Sequence, residues 1–80
     1  MKYAKFKGGH TFFEMIETPI GIYYDGISVY INDNGANICT VSLRKEWFGK
    51  GMYVPATKKE FDDAYNMALK VINEKRNSIV

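Results

Sequence analysis

Eighty residues, with a net charge of +2 and with 46% hydrophobic and 15% aromatic side chains, describe one small folded domain and exclude a disordered or polycationic chain. No apolar run approaches the roughly 20 residues that span a bilayer. The basic start from Met1 to Lys7 leads into Gly8-Gly9 with no secretory-type apolar stretch, and one cysteine excludes an internal disulfide framework, so a cytoplasmic protein that does not enter the membrane is expected.

Lys2 to Lys7 reads as a short strand with poor alternation, punctuated by Gly8-Gly9. Thr11 to Glu17, aromatic and branched, reads as a second strand ended by Thr18-Pro19, and Ile20 to Tyr24 as a third. Asp25-Gly26 and Asn34-Gly35 are the dipeptides favoured in two-residue hairpin turns, because a type I′ turn needs positive φ at both central residues. Two such turns pair Tyr24 with Ile27, Ile22 with Val29, Ile31 with Ile38 and Val29 with Thr40. One face then carries Ile20, Ile22, Tyr24, Ile27, Val29, Ile31, Ile38 and Thr40 and is nearly all apolar. The other carries Tyr23, Ser28, Tyr30, Asn32, Asn37, Cys39, Val41 and Leu43 and is mixed, which makes it the candidate for an outside contact.

The strand ending at Leu43 runs into a segment that concentrates cations and aromatics: Arg44, Lys45, Trp47, Phe48, Lys50, Met52 and Tyr53, broken by Gly49 and Gly51. Net charge is small, so any nucleic-acid reading rests on placement, and from Thr11 to Leu43 there is no Lys or Arg. The lysines of the first seven residues fit the ordinary role of guarding a sheet edge. Trp47 and Phe48 fit a lid over the core as well as a stacking surface. Their interleaving with Arg44, Lys45 and Lys50 favours the second, since single strands are held by stacking plus backbone cations.

Thr57 and Glu60 spell a capping box, with Ala56 and Phe61 placed as a hydrophobic staple. Helical spacing continues from Lys58 to about Asn77 along Phe61, Ala64, Tyr65, Ala68, Val71 and Ile72, with Met67 and Leu69 on the shoulders. That arc is wider than one small sheet needs. A chain this short also buries only about 60–65% of its unfolded surface, so a homodimer joined through Tyr65, Met67, Ala68, Leu69 and Ile72 is expected. The order of elements implies an α+β fold in a single domain, residues 1–80. An antiparallel β-meander of four to five strands over about residues 2–54 precedes one C-terminal helix, packed on one sheet face.

Catalytic chemistry is poorly represented. His10 and Cys39 are single examples in different elements, no metal-ligand spacing occurs, and Gly49-x-Gly51 lacks a phosphate-loop pattern. No enzyme activity, metal or cofactor is expected.

The stretch V-S-L-R-K-E-W (Val41 to Trp47), then G-K-G-M-Y-V (Gly49 to Val54) and T-K-K-E-F at the helix start, resembles the transcriptional positive cofactor four family of single-stranded-DNA-binding coactivators. The resemblance covers Val29 to Ala68. It implies four antiparallel strands and a helix, dimerisation through the helices, and binding of single strands along the curved sheet. Arg44 stands at the family's motif arginine, Trp47 at its aromatic, and Lys50 with Gly51 at its lysine-glycine pair. Ser42 replaces the usual aspartate, the link from Trp47 to Lys50 is shorter, and the Asn34-Gly35 turn lacks the family's lysines.

Two readings of function follow. The first is a single-stranded DNA- or RNA-binding protein, a transcription- or replication-associated factor of bacterial or phage origin, with Arg44, Lys45 and Lys50 on phosphates and Trp47, Tyr53 and Tyr30 on bases. The second is a small protein-binding module, such as a phage or mobile-element inhibitor of a host protein, that uses the same surface as interface anchors. Nine lysines against two arginines point to an AT-rich genome.

Overall fold

The computed structural model describes residues 1–19 and 21–79. Five strands form one antiparallel sheet: β1 (Lys2–Phe6), β2 (Thr11–Glu17), β3 (Tyr23–Asn32), β4 (Gly35–Arg44) and β5 (Tyr53–Pro55). Their spatial order is β4-β3-β2-β1-β5, so β1 to β4 are a meander and β5 joins the far side of β1. A 3-10 helix (Lys45–Lys50) links β4 to β5. The α-helix α1 (Lys58–Ser78) then lies on the sheet, contacting β4, β3 and β2. This is the α+β meander-plus-helix architecture the periodicities predict. No helix among the described residues is long and apolar enough to cross a membrane.

Each strand of the meander presents alternate residues to two different covers, and a core forms on each side. On the helix side Val29, Phe61, Ala64 and Ala68 are buried, with Tyr3, Phe12, Ile27, Ile31, Ala36 and Ile38 packed around them. On the other side Ala4, Phe13, Met15, Tyr24 and Leu43 are buried beneath Phe6, Val41, Phe48 and Tyr53. The 3-10 crossover supplies Phe48 to this second core as it passes from one edge of the sheet to the other. The poor alternation of β1 has its reason here, since Tyr3 serves one core and Ala4 and Phe6 the other.

Two expectations about the turns are corrected. Asp25-Gly26 is not a hairpin: β3 runs straight through it, with Gly26 opposite Met15 on one side and Val41 on the other. The glycine answers a steric need and not a turn. A Cβ on Gly26 would lie 1.8 Å from the Glu14 carbonyl oxygen, so β2 approaches the backbone where only glycine fits. As the chain does not reverse there, Tyr24 falls on the face opposite Ile27 and packs in the second core, and Tyr23 shares the helix-side parity. Ile22 is 58% exposed before the strand begins, and Ile20, expected in the third strand, lies outside the described residues.

The second hairpin exists, two residues out of the expected register. Its loop is Asp33-Asn34, Asn32 pairs with Gly35, and Val29 meets Ile38 instead of Thr40. The Asn34 N–H donates to the Asn32 side-chain oxygen at 2.8 Å, which closes the turn one residue earlier than the Asn-Gly dipeptide suggests. A shift of two keeps every side chain on its face, so Ile27, Val29, Ile31 and Ile38 still point to the helix.

The start of α1 forms as the sequence predicts. The Glu60 N–H donates to the Thr57 hydroxyl at 3.1 Å and the Thr57 N–H to the Glu60 carboxylate at 3.2 Å. The Lys5 ammonium donates to the same carboxylate at 2.5 Å, tying the first turn to β1. Lys5 and Thr57 together hold Glu60 below the usual carboxylate range.

Candidate nucleic-acid interface

Tyr24 is the centre of the crossover side's chemistry. It is buried at the end of the sheet where β2 finishes and β4 turns into the 3-10 helix, and the edge of Phe48 meets its ring at 5.3 Å. Two ammonium groups reach the same ring: Lys2 from β1 and Lys45 from the crossover, each with Nζ 5.1 Å from its centroid. Lys2 also donates to the Tyr24 hydroxyl at 3.2 Å and stands 5.8 Å from the centre of Phe48. Beside them the Arg44 guanidinium lies 6.0 Å from the Tyr23 ring. A groove of about 320 Å³, lined by Gly21, Ile22, Arg44, Lys45 and Glu46, opens next to this cluster.

Among the described residues two carboxylates accompany these cations. Glu17 meets Lys45 at 3.4 Å and Glu46 meets Arg44 at 3.5 Å, and both are well exposed. Solvent and salt screen such contacts, so they give way readily to a competing anion. Lys2 and Lys50 have no carboxylate within ion-pair distance among the described residues. The surface is cationic over aromatic rings, the arrangement suited to phosphate and base together.

The structure divides the expected site residues. Arg44, Lys45 and Trp47 stand together at the Tyr24 end, with Lys50 exposed at the far end of the crossover. The Trp47–Phe48 pair separates by role: Phe48 is the core lid, while Trp47 is 36% exposed and stacks on no other ring among the described residues. Tyr53 is half-buried and packs against the crossover-side core. Its ring lies 4.7 Å from Phe6, 5.4 Å from Phe13 and 4.4 Å from Phe48, and desolvation raises its hydroxyl pKa. Tyr30 is exposed on the same side of the sheet, at the other end, six residues along β3 from Tyr24 and thus roughly 20 Å away. It borders a second open surface with Phe6, Lys7, His10 and Met52.

Lys2 is the residue that sequence reasoning missed. Its spacing marks it as an ordinary edge lysine, and only the pairing of Lys2 with Met15 brings its side chain toward Tyr24. On the helix, Ala68 is fully buried against the sheet. Tyr65, Met67, Leu69 and Ile72 remain exposed. Among the described residues no three His, Cys, Asp or Glu side chains gather as metal ligands.

Compared with protein-family models, curated proteins and solved structures, the chain matches none of them.

Proposed function

We propose that this protein binds single-stranded nucleic acid around the Tyr24 end of the sheet, as a homodimer serving transcription or replication in a bacterial or phage setting. The observation that carries this reading is the convergence of Lys2 and Lys45 on the Tyr24 ring, with Arg44 on Tyr23 and an exposed Trp47 alongside. Lys2, Arg44, Lys45 and Lys50 take phosphates in this scheme, and Trp47 and Tyr23 stack on bases. Tyr30 extends the track at the far end. The resemblance of Val41–Val54 to the positive cofactor four family supports the same reading.

A fluorescence titration with oligo-dT tests it, because Trp47 is the sole tryptophan and sits in the proposed site. Binding should quench the emission and weaken with salt, with a log–log slope near −0.7 for each phosphate neutralised on a single strand. Lys2→Ala should reduce that slope by about 0.7. An absence of quenching and of any binding at low salt would sink the proposal. The exposure of Ile22 and Met52, at 58% and 56%, favours a second reading as a protein-binding module. A pull-down that returns one protein and survives nuclease treatment would select it.

A further inference from the structure

The two edges of the sheet are finished differently. β5 is three residues long and ends in Pro55, the usual means of blunting an edge. β4 has ten residues, no proline and no charge before Arg44, which leaves a long, unguarded template for another strand. The ladder shows which of its groups are open. The Lys45 N–H donates to the Ile22 carbonyl at 3.0 Å, so by the alternation of an antiparallel pair the odd-numbered residues of β4 bond to β3. The N–H and C=O groups of Ala36, Ile38, Thr40 and Ser42 therefore point outward. On α1 a second feature lies unused. Tyr65, Leu69 and Ile72, at i, i+4 and i+7, are 36%, 39% and 36% exposed beside the buried stripe, on the flank away from Met67.

We propose that β4 pairs antiparallel with β4 of a second copy, about a two-fold axis perpendicular to the sheet that passes between the two Cys39 residues. The proposal rests on the homodimer named above and assigns it a strand-centred interface. Opposed residues of an antiparallel pair share a face, so the axis must bring residues of equal parity together. An axis at Cys39 sets Ile38 opposite Thr40 and Ala36 opposite Ser42. All four outward residues then find partners, and Arg44 and the 3-10 turn stay outside the ladder. From Gly35 to Leu43 no side chain is charged, so two copies meet without like-charge opposition. Both helices come to one side of the joined sheet with their exposed stripes, and both crossovers to the other. The two Arg44 clusters then share a single surface, separated by ten strand residues or about 34 Å.

Cys39 is the reporter. It is exposed, held by a 3.0 Å contact with the Ser28 hydroxyl, and falls at a non-hydrogen-bonded site of the proposed pair. Opposed Cα atoms there lie about 4.5 Å apart, within the range a disulfide spans. The test combines solution mass by light scattering with diamide oxidation, followed by non-reducing electrophoresis and oligo-dT titration of the same samples. The wild type should be a dimer that converts to a Cys39-linked dimer. Thr40→Pro, which removes only an outward N–H, and Thr40→Lys, which adds an edge guard at an exposed position, should both be folded monomers without the link. A wild-type monomer, or a dimer that never forms the link and persists in both variants, overturns the proposal, even if oligo-dT still binds. A linked dimer that ignores oligo-dT upholds the edge pairing and removes the nucleic-acid reading instead.

Discussion

The sheet is covered on both faces, and the two covers could hardly differ more in construction. On one side lies a helix of 21 residues, capped at its start, with ion pairs along its first turns: Lys5 of β1 with Glu60 at 2.5 Å, Lys58 with Asp62 at 2.5 Å and Lys59 with Asp63 at 2.6 Å. Asp62 and Asp63 hold the pKa values of Lys58 and Lys59 above the usual lysine range. On the other side lies one 3-10 segment contributing a single half-buried ring, Phe48, and there Lys2 of β1 and Lys45 of the crossover rest on the face of Tyr24. Lys58 and Lys59 are held by carboxylates, whereas Lys2 faces rings and has no carboxylate within ion-pair distance among the described residues. What a lysine can do for function is decided by the group facing it.

The largest effect should come from the strand that both covers share. Gly26→Ala forces a Cβ into the Glu14 carbonyl and displaces β2 from β3, which serve both cores. A loss of about 4 kcal/mol or more is expected, seen as failure to reach a cooperative urea transition. A well-folded Gly26→Ala protein would show that the close approach of β2 is not required.

Next in size, Phe61→Ala and Phe48→Ala compare the covers directly. Phe61 is 4% exposed in the helix-side core, and its loss should cost about 3–5 kcal/mol. Phe48 is only half-buried, so its removal should cost about 1–2 kcal/mol, scaled down from the same series. Equal costs in chemical denaturation would mean that the crossover is as integral to the fold as the helix. Smaller again, Thr57→Ala removes the cap of α1 and should cost about 1 kcal/mol, leaving the crossover-side groups, and the oligonucleotide binding proposed for them, untouched.

The smallest effect is one of pH, and it belongs to the helix side. Glu60 titrates lower in the folded protein than in the unfolded chain, because Lys5 and Thr57 stabilise its charged form. A depressed carboxylate adds stability that is present above the unfolded pKa of about 4.3. That stability is lost as pH falls through the lower, folded value. Glu60→Gln should therefore lower stability at neutral pH and flatten its decline on acidification. An unchanged acid limb in thermal melts from pH 6 to pH 3 would show that the Lys5 contact contributes nothing there.

Much of the architecture was legible because it depends on local chemistry. The capping box of Thr57 and Glu60, the helix it begins, the strand Thr11–Glu17 and the helix-facing set Ile27, Val29, Ile31 and Ile38 all follow from spacing within short windows. Even the two-residue error at Asn34-Gly35 did not move a side chain to the wrong face, since the pleat repeats every second residue. The cationic segment Arg44–Lys50 was likewise visible as composition.

What the amino-acid order alone determined was a run of strands followed by one capped helix, and the apolar parity of Ile27, Val29, Ile31 and Ile38. Tertiary structure decided the rest. Asp-Gly at 25–26 satisfies the rule for a tight turn and the rule for a close backbone approach equally well, and only the arrival of β2 against β3 selects the second. Tyr53 and Trp47 are both aromatics in one basic segment, and only the path of the crossover packs the first against Phe6, Phe13 and Phe48 while the second stacks on no ring among the described residues and stays 36% exposed. Lys2 and Lys45 are 43 positions apart and share no local pattern. They meet at Tyr24 because non-local strand pairing and a chain crossing from edge to edge bring them there, and contacts of that range leave no periodic trace in a sequence.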